Sequence, residues 1–564
     1  MKEHKLQLLI AFSFYLICAI VFGLAYRYAI NPDGIAELRL AGYIAEWHFM
    51  RSVTQNWSAL FLWLMSPFLF LGFDGLTTAR VTIALSGALL LFCCWLFIQR
   101  FNLSRKQSFI VLLIVALLIS DWTIRNIGAD ILFATLLILY MYFVTHPDII
   151  NNKQISFFCG VWGGFSYLAH HYAFPFFVIH YPISLILRKY ISKNPPYGLL
   201  RPIVVGFVGF IIICSLWIIP MSIKYSHLAI SGKGGPTYAA FGPQSSGGHP
   251  FFKGGLYKPR DSYAIHVFEN LSEMKFNKWS PFESKEYFLH QLKLMKMNIN
   301  YIFSHFVRSS PFFTYPFMIA LLSIIPIVLL IVPIEKEKKF LYSWVVITFL
   351  IYCSGFILII ARSPRRFYMP MLLMIITSFS ILEGLIRFFN EKYFEGQGDV
   401  WKRRLLILYI LLITVPAFSL KPAIHLMKSF KNILTLEYVN PYKDIAEQLK
   451  QVDFPAPVAF IRSSQKGHTD LYIAYFLNKQ LLGRPISNDI DGITEELKIT
   501  GGRSLLVFDN LDVVDILKND SRYTHLATIE LRKDERYWNA PNIEQDEIKA
   551  WDKEVNIFVL KDNL

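Results

Sequence analysis

The recurrence of long apolar runs constrains this chain more than any other feature. A helix needs about 20 mostly apolar residues to cross the roughly 30 Å hydrocarbon core of a bilayer. The first such run, Leu6 to Tyr26, follows a short basic start at Met1 to Lys5. It is longer than the apolar part of a signal peptide, so it reads as an uncleaved first span with its N-terminus inside. Further runs fall near Leu76 to Ile98, Phe109 to Asp121, Ile131 to Val144, Phe157 to Tyr167, Phe176 to Leu187, Ile203 to Met221, Phe312 to Ile334, Phe340 to Ile360, Tyr368 to Leu385 and Leu405 to Phe418, which makes about eleven spans. Several are shorter than about 20 residues and are expected to begin within loops or to tilt little. Trp57 to Phe73 is also apolar, but Pro67 interrupts it and no basic flank borders it, so an interfacial or re-entrant helix is expected there.

Composition carries the same message. With 54% hydrophobic and only 17% charged residues over 564 positions, the chain is too apolar for a soluble protein of its size. All six cysteines (Cys18, Cys93, Cys94, Cys159, Cys214 and Cys353) lie in apolar runs, which leaves the extramembrane regions no thiol for a disulfide. The net charge of +15 is uneven: residues 421–564 hold 19 Lys+Arg against 22 Asp+Glu, so the preceding part carries +18. A basic membrane part suits anionic membrane lipids and a phosphate-bearing ligand. No nucleic-acid motif accompanies the charge, and nucleic acid is not expected as a partner.

Charge also orients the spans. The short connections placed in the cytoplasm contain Arg100, Arg105 and Lys106; Arg188, Lys189, Lys193 and Arg201; Lys336, Lys338 and Lys339; and Arg387, Lys392, Lys402, Arg403 and Arg404. This obeys the positive-inside rule, and an odd span count leaves the C-terminus outside. Residues 1–420 then form the membrane domain, with a first outer loop at 27–75 and a large one at 222–308. The latter holds 11 Lys+Arg against 5 Asp+Glu and is too long for a passive connection. Its Gly234-Gly235-Pro236, Gly247-Gly248-His249-Pro250 and Trp279-Ser280-Pro281-Phe282 combine turn formers with aromatics and suit either a hinged lid or a packed cap.

Residues 421–564 alternate helix and strand. Helices are expected near Tyr442 to Gln451, Asp470 to Leu477, Ile493 to Ile499 and Val513 to Leu517, and strands at Val458 to Ile461, Ser504 to Phe508, Ala527 to Leu531 and Asn556 to Leu560. This is the pattern of a small α/β domain with an open sheet, expected outside the cytoplasm. It has no Gly-rich phosphate loop, metal cluster or nucleophile elbow in its sequence, which favours a structural or docking role.

Four groups of residues are candidates for chemistry, and the charge-derived topology puts all four on one side. Asp33 lies just after the first span, with Glu37 one turn later if the segment is helical. A carboxylate at the membrane boundary is partly desolvated, which raises its proton affinity and suits a general base; a helix cap or solvated acid is the plain alternative. Asp130 precedes the fourth span, where an N-cap is the plain alternative. Arg362, Arg365 and Arg366, followed by Tyr368, sit on the face where positive-inside bias does not explain arginine. A guanidinium fork grips phosphate, or anchors to lipid headgroups. His170 and His171 close the fifth span, but adjacent histidines on a helix do not point the same way and are a poor metal pair.

The order of these features resembles the GT-C fold of integral-membrane glycosyltransferases, most nearly the bacterial family 39 enzymes of the protein-mannosyltransferase-like or aminoarabinose-transferase-like kind. The resemblance rests on Pro32-Asp33-Gly34, Asn56-Trp57-Ser58-Ala59-Leu60 with the apolar helix after it, Gly128-Ala129-Asp130-Ile131-Leu132, Gly164-Phe165-Ser166-Tyr167-Leu168-Ala169-His170 and Arg366-Phe367-Tyr368, and spans about residues 1–420. It implies transfer of a sugar from a polyprenyl-phosphate donor to a hydroxyl acceptor (lipid, polysaccharide or protein), with inversion, at the outer face of the bacterial cytoplasmic membrane. Asp33 would be the base, Asp130 a second positioning acid, and Arg365 and Arg366 the partners of the departing phosphate. Trp57 and Trp63 would guide the lipid chain. Many relatives carry Lys where His170 falls, and some carry an acidic-basic pair where this chain has Gln55-Asn56, so His170, Arg51 or the large loop's Lys233 and Lys253 are expected to substitute, with that loop as a lid over the sugar site or a packed cap. Direct acid-base work needs no cofactor, and a divalent metal held by Asp33, Asp130 and a histidine is left open. A lipid-linked saccharide flippase or other transporter, and a non-catalytic scaffold, remain as rival readings.

Overall fold

A computed structural model describes residues 2–27, 29–192, 198–232, 234–245, 254–274, 276–308, 335–359, 364–393, 420–431, 433, 440–462, 468–508, 510–531 and 554–561. Its helices in chain order are α1 (Lys2–Ala25), α2 (Pro32–Ala45), α3 (Phe49–Ser52), α4 (Ala59–Phe70), α5 (Gly75–Ile98), α6 (Arg105–Arg125), α7 (Asp130–Val144), α8 (Lys153–Ala169), α9 (Ala173–Ser192) and α10 (Leu200–Tyr225). The short α11 (Gly234–Ala239) and the long α12 (Lys285–Arg308) follow, then α13 (Lys336–Leu358) and α14 (Tyr368–Tyr393). Among the described residues six helical stretches are long and apolar enough to cross a membrane: Lys5–Ala25, Gly75–Phe101, Arg105–Thr123, Leu200–Tyr225, Lys336–Leu358 and Arg365–Gly384. A chain with six such helices is a multi-pass membrane protein. Nine of the expected spans fall on described helices; Phe312 to Ile334 and Leu405 to Phe418 lie outside the described residues.

Helices α6, α8 and α9 are longer than their apolar runs, because polar residues at their ends continue the helix beyond the apolar stretch. The Trp57 to Phe73 segment forms the 12-residue α4, with Pro67 inside it. That is too short to span, as expected for an interfacial or re-entrant element.

The C-terminal part is a mixed sheet with helices. Strands β1 (Gly255–Leu256), β2 (Val458–Arg462), β3 (Leu481–Arg484), β4 (Ser504–Phe508), β5 (Tyr523–Glu530) and β6 (Glu554–Leu560) run in the order β1-β3-β2-β4-β6-β5. The three central strands β3, β2 and β4 are parallel, and β6, β5 and β1 add antiparallel edges. Helices α15 (Pro441–Leu449), α16 (Thr469–Leu477), α17 (Ile490–Thr500) and α18 (Leu511–Asn519) connect them. Burial follows position in the sheet: β4 is buried at every residue, whereas the edge strand β5 alternates.

Strand β1 comes from the segment 222–308, not from the C-terminal region. It pairs Gly255 with Arg484 and Leu256 with Gly483, while the Leu481 N–H donates to the Ile265 carbonyl at 2.6 Å. The same segment grips the membrane part. Tyr167 Oη donates to the Ile230 carbonyl at 2.7 Å, Gly232 N–H to the Gln55 carbonyl at 2.8 Å, and Tyr43 Oη to Glu269 Oε2 at 2.8 Å. Trp279 is buried and stacks on Tyr238 at 4.5 Å. The described part of the large loop is thus a packed bracket between helices and sheet. Lys233, Lys253 and the stretch from Gly247 to Pro250 lie outside the described residues.

Candidate active site

Two helix starts are brought face to face by one asparagine. Helix α2 begins with Pro32, whose fixed φ and missing N–H suit a first turn. Asn31, its extended N-cap residue, makes no side-chain cap bond. It reaches across instead: its Oδ1 accepts from the Ile127 N–H at 2.7 Å and its Nδ2 donates to the Ile127 carbonyl at 3.0 Å. Gly34 permits the approach, since a Cβ there would collide with the Ile127 side chain. The result places Asp33, in the first turn of α2, beside Asp130, in the first turn of α7. Helix N-termini carry partial positive charge and favour both carboxylates and incoming anions.

Arg365 lies between the two acids. Its Nη2 contacts Asp33 Oδ2, and its Nε is 3.4 Å from Asp130 Oδ2. The three side chains are 18%, 24% and 15% exposed, so the cluster is shielded without being sealed. Arg365 and Arg366 belong to a short 3-10 turn, Pro364–Phe367, that leads into α14. The turn is pinned from α13, where Tyr352 Oη donates to the Arg366 carbonyl at 2.5 Å and Phe356 lies under the Arg366 guanidinium at 5.6 Å.

These residues line one cavity with Glu37, Asn56, Trp57, Ser58, Gly128, Ala129, Ala169, His170 and His171. Its free volume is about 30 Å³, close to the room of a single water, so a sugar or phosphate enters only if the Arg365 clasp or a wall such as Trp57 shifts. Gly128 is part of the wall: a Cβ on it would lie 3.3 Å from Asp130 Oδ2, 3.5 Å from Glu37 Oε2 and 3.6 Å from Arg365 Nη1. His170 stacks on Phe133 at 4.9 Å, and its Nδ1 accepts from the Tyr172 N–H at 3.2 Å. Trp57 is buried edge-on to Phe268 at 5.7 Å, and Trp63 sits edge-on to Trp217 at 6.0 Å.

Of the candidates read from the sequence, the cavity gathers Asp33, Glu37, Trp57, Asp130, His170, His171, Arg365 and Arg366. Two others lie elsewhere. Arg51 covers the Tyr263 ring at 3.8 Å and pairs with Asp261 at 3.4 Å, which spends its charge on the segment 222–308 and keeps it off the cavity wall. Tyr368 is buried and stacked flat on Trp122 at 4.2 Å, so its ring packs α14 against α6 and is not in the cavity lining. Arg362 lies outside the described residues. Asn56, Ser58 and Gly128 are not among those candidates, although Asn56 and Ser58 flank Trp57 and Gly128 lies two positions before Asp130. Asn56 is buried, and its Nδ2 has no acceptor among the described residues.

Among the described residues, no group of three or more His, Cys, Asp and Glu side chains is arranged to hold a metal. The space between Asp33 and Asp130 is taken by a guanidinium, so the donors present do not fit a divalent ion in this arrangement.

No family model matches the chain, and no curated protein matches it. Among solved structures it is similar to ArnT from Cupriavidus metallidurans bound to undecaprenyl phosphate, with 12% identity over 98% of this chain and 98% of that one and a TM-score of 0.42. The apo state of ArnT from the same organism gives 12% identity, 97% of each chain and a TM-score of 0.41. Arabinofuranosyltransferase AftD from Mycobacteria gives 10% identity and a TM-score of 0.41 over 98% of this chain but 40% of that one. At this distance the likeness assigns no activity, which has to come from the residues of the site.

Proposed function

We propose that the protein is a membrane glycosyltransferase that moves a sugar from a polyprenyl-phosphate donor to a hydroxyl acceptor at the outer face of the cytoplasmic membrane, with Asp33 as general base. The observation that carries this reading is the clasp of two helix-start carboxylates on one arginine in a shielded cavity. The resemblance of residues 1–420 to the GT-C enzymes supplies the donor class. In the transfer the acceptor oxygen bonds to the anomeric carbon from the face opposite the phosphate. The bond from that carbon to the phosphate oxygen breaks with its electron pair leaving on the polyprenyl phosphate, and the acceptor proton goes to Asp33. Arg365 and Arg366 stabilise the charge that grows on the leaving phosphate.

The clasp explains why such a site would be quiet without donor. Arg365 beside Asp33 favours the ionised, weakly basic carboxylate. A donor phosphate competes for the same guanidinium, and a phosphate–arginine pair is bidentate and strong. Release from Arg365 raises the proton affinity of Asp33 at the moment when an acceptor proton has to be taken. Asp130 then holds Arg365 in register between donor and helix start.

The test is turnover of purified protein with a panel of polyprenyl-phosphate sugars and a membrane-lipid extract as acceptor, comparing wild type with Asp33→Asn. Release of polyprenyl phosphate by wild type, lowered by about 10³-fold or more in the variant while donor still binds, is the expected result for a base acting together with its clasp. Equal turnover in the two proteins would remove Asp33 from the chemistry. Activity with no donor in the panel would sink the reading as a whole.

A further inference from the structure

A second, much larger cavity lies on the far side of α2 from the acids. At 100° per residue, Glu37 lies within about 40° of Asp33, whereas Leu38, Gly42 and Glu46 fall on the opposite side of the helix. The cavity on that side measures about 430 Å³, the size of a small-ligand site. Its walls come from four places: Leu38 and Arg39 on α2 with Glu46 just after it, Leu69 and Phe70 at the end of α4, Gly75 at the start of α5, and Tyr475 on α16 of the C-terminal domain.

One rim of this cavity is apolar and open. Trp47, Phe70, Leu71 and Phe73 are all more than half exposed, and Trp47 meets Phe70 edge-on at 6.0 Å. Exposed aromatics of this kind at the end of a short apolar helix belong at a membrane–water boundary. The other rim carries charge of both signs. Arg39 makes one hydrogen bond among the described residues, from Nη2 to the Tyr263 carbonyl at 2.7 Å, and its Nε is buried, so the Nη1 end of its fork is what a ligand can use. Glu46 is exposed and lines the cavity with it. A cavity lined by one cation and one exposed carboxylate suits a headgroup that carries a phosphate and an amine together.

We propose that this cavity binds the headgroup of a zwitterionic, amine-bearing phospholipid, with the phosphate at Arg39, the ammonium at Glu46 and the acyl chains along Phe70, Leu71 and Phe73. The bound lipid bridges α2, α4 and α16. It therefore braces from behind the helix that carries Asp33 and Glu37, and docks the C-terminal domain on that helix. The lipid site stands independently of the glycosyltransferase reading, because its readout is binding and not turnover.

The experiment is native mass spectrometry of the delipidated full chain in detergent, offered equal amounts of phosphatidylethanolamine and phosphatidylglycerol, with glycerophosphoethanolamine as a soluble competitor. The expected result is preferential retention of phosphatidylethanolamine. Glu46→Gln should lower the ratio of the two lipids by about threefold or more, the size of a partly exposed ion pair. Phe70→Ala should weaken retention of both, and the soluble headgroup should fail to displace the lipid at equal concentration. Glu46 is exposed and forms no part of the packing, so that variant keeps the fold, whereas Arg39→Gln also loses the Tyr263 bond and is read only beside it. Phosphatidylglycerol retained as well as phosphatidylethanolamine, or a ratio unchanged in Glu46→Gln, would overturn the proposal. Displacement by the soluble headgroup alone would overturn the lipid assignment in favour of a free phosphoamine.

Discussion

Two polar clusters in this molecule differ in burial and in charge, and the difference separates packing from chemistry. One lies deep among the helices: Tyr140 Oη on α7 and Thr348 Oγ1 on α13 each lie 2.8 Å from a ring nitrogen of His180 on α9, and Trp344 Nε1 donates to Ser184 Oγ at 3.0 Å. Every member is almost wholly buried, and each is satisfied by another. The other is the clasp of Asp33, Arg365 and Asp130 at the helix ends, which carries formal charge, borders a cavity and stays partly exposed. A closed network in a low-dielectric interior fixes helix positions and leaves nothing for a ligand. An open one keeps its bonding capacity for an incoming group. A transporter is expected to keep ionisable groups available near mid-span, and among the described residues this open charged cluster lies where helices end.

The comparison breaks first at Arg365. Arg365→Met removes the partner proposed for the departing phosphate and should lower turnover by about 10²–10³-fold, the loss seen when one preorganised donor is deleted from a transition-state site. Arg365→Lys should recover only part of this, because an ammonium is a point charge and cannot span both acids as the fork does. Full activity in the methionine variant would reduce the clasp to a structural ion pair. At the closed cluster the expectation inverts. His180→Ala strands Tyr140, while Thr348 keeps its bond to the Trp344 carbonyl, and leaves a void, for a combined cost of about 3 kcal/mol in stability with turnover per folded molecule unchanged. Thermal unfolding alongside single-turnover kinetics separates the two, and a kinetic defect in folded His180→Ala would mean that the network is not merely structural.

A finer cut falls on Gly128. Valine there pushes methyl groups toward Asp130, Glu37 and Arg365 and fills the small space that a reacting group must enter. Turnover should fall by about tenfold or more, a cost of about 1.4 kcal/mol or above, with unfolding temperature close to wild type. Loss of folding in place of activity would show that the cavity wall is core.

Much of this site was legible because topology is written in charge. Lys and Arg in the short connections put the Asp33, Asp130, His170 and Arg365 segments on one side, and the helix ends meet there as that count requires. Side-chain direction was not legible. Whether Arg51 turns toward the cavity or toward Tyr263 depends on a segment more than 200 positions away in the chain, and the stack of Tyr368 on Trp122 depends on how α14 settles against α6. In the C-terminal domain the helices and strands with clear periodicity emerge close to their expected bounds. The four-residue β3 and two-residue β1 do not, because strands so short carry no pattern and gain their place from partners. β1 also crosses the domain boundary that composition suggested, since it belongs by sequence to the membrane domain and by hydrogen bonding to the sheet.

The smallest effect tests the bracket that joins these regions. Glu269 is buried, accepts hydrogen bonds from Tyr43 Oη and from the Ile265 N–H, each at 2.8 Å, and is pushed up by burial from 4.5 to about 7. Between these values the folded protein holds a proton that the unfolded chain has already released. Stability from this group is therefore complete below about pH 4.5, declines as pH rises toward 7, and is flat above. The ceiling is roughly 3 kcal/mol, and an effect nearer 1 kcal/mol is expected where Tyr43 and the backbone continue to solvate the carboxylate. Glu269→Gln keeps an acceptor for Tyr43 but has no proton to lose. The difference in unfolding temperature between wild type and variant should then drift in the variant's favour from pH 4.5 to 7.5, while the ratio of their turnover rates stays level. A parallel drift in turnover would mean that the bracket does more than hold α2, and that protonation at Glu269 is felt at Asp33 through the helix they share contact with.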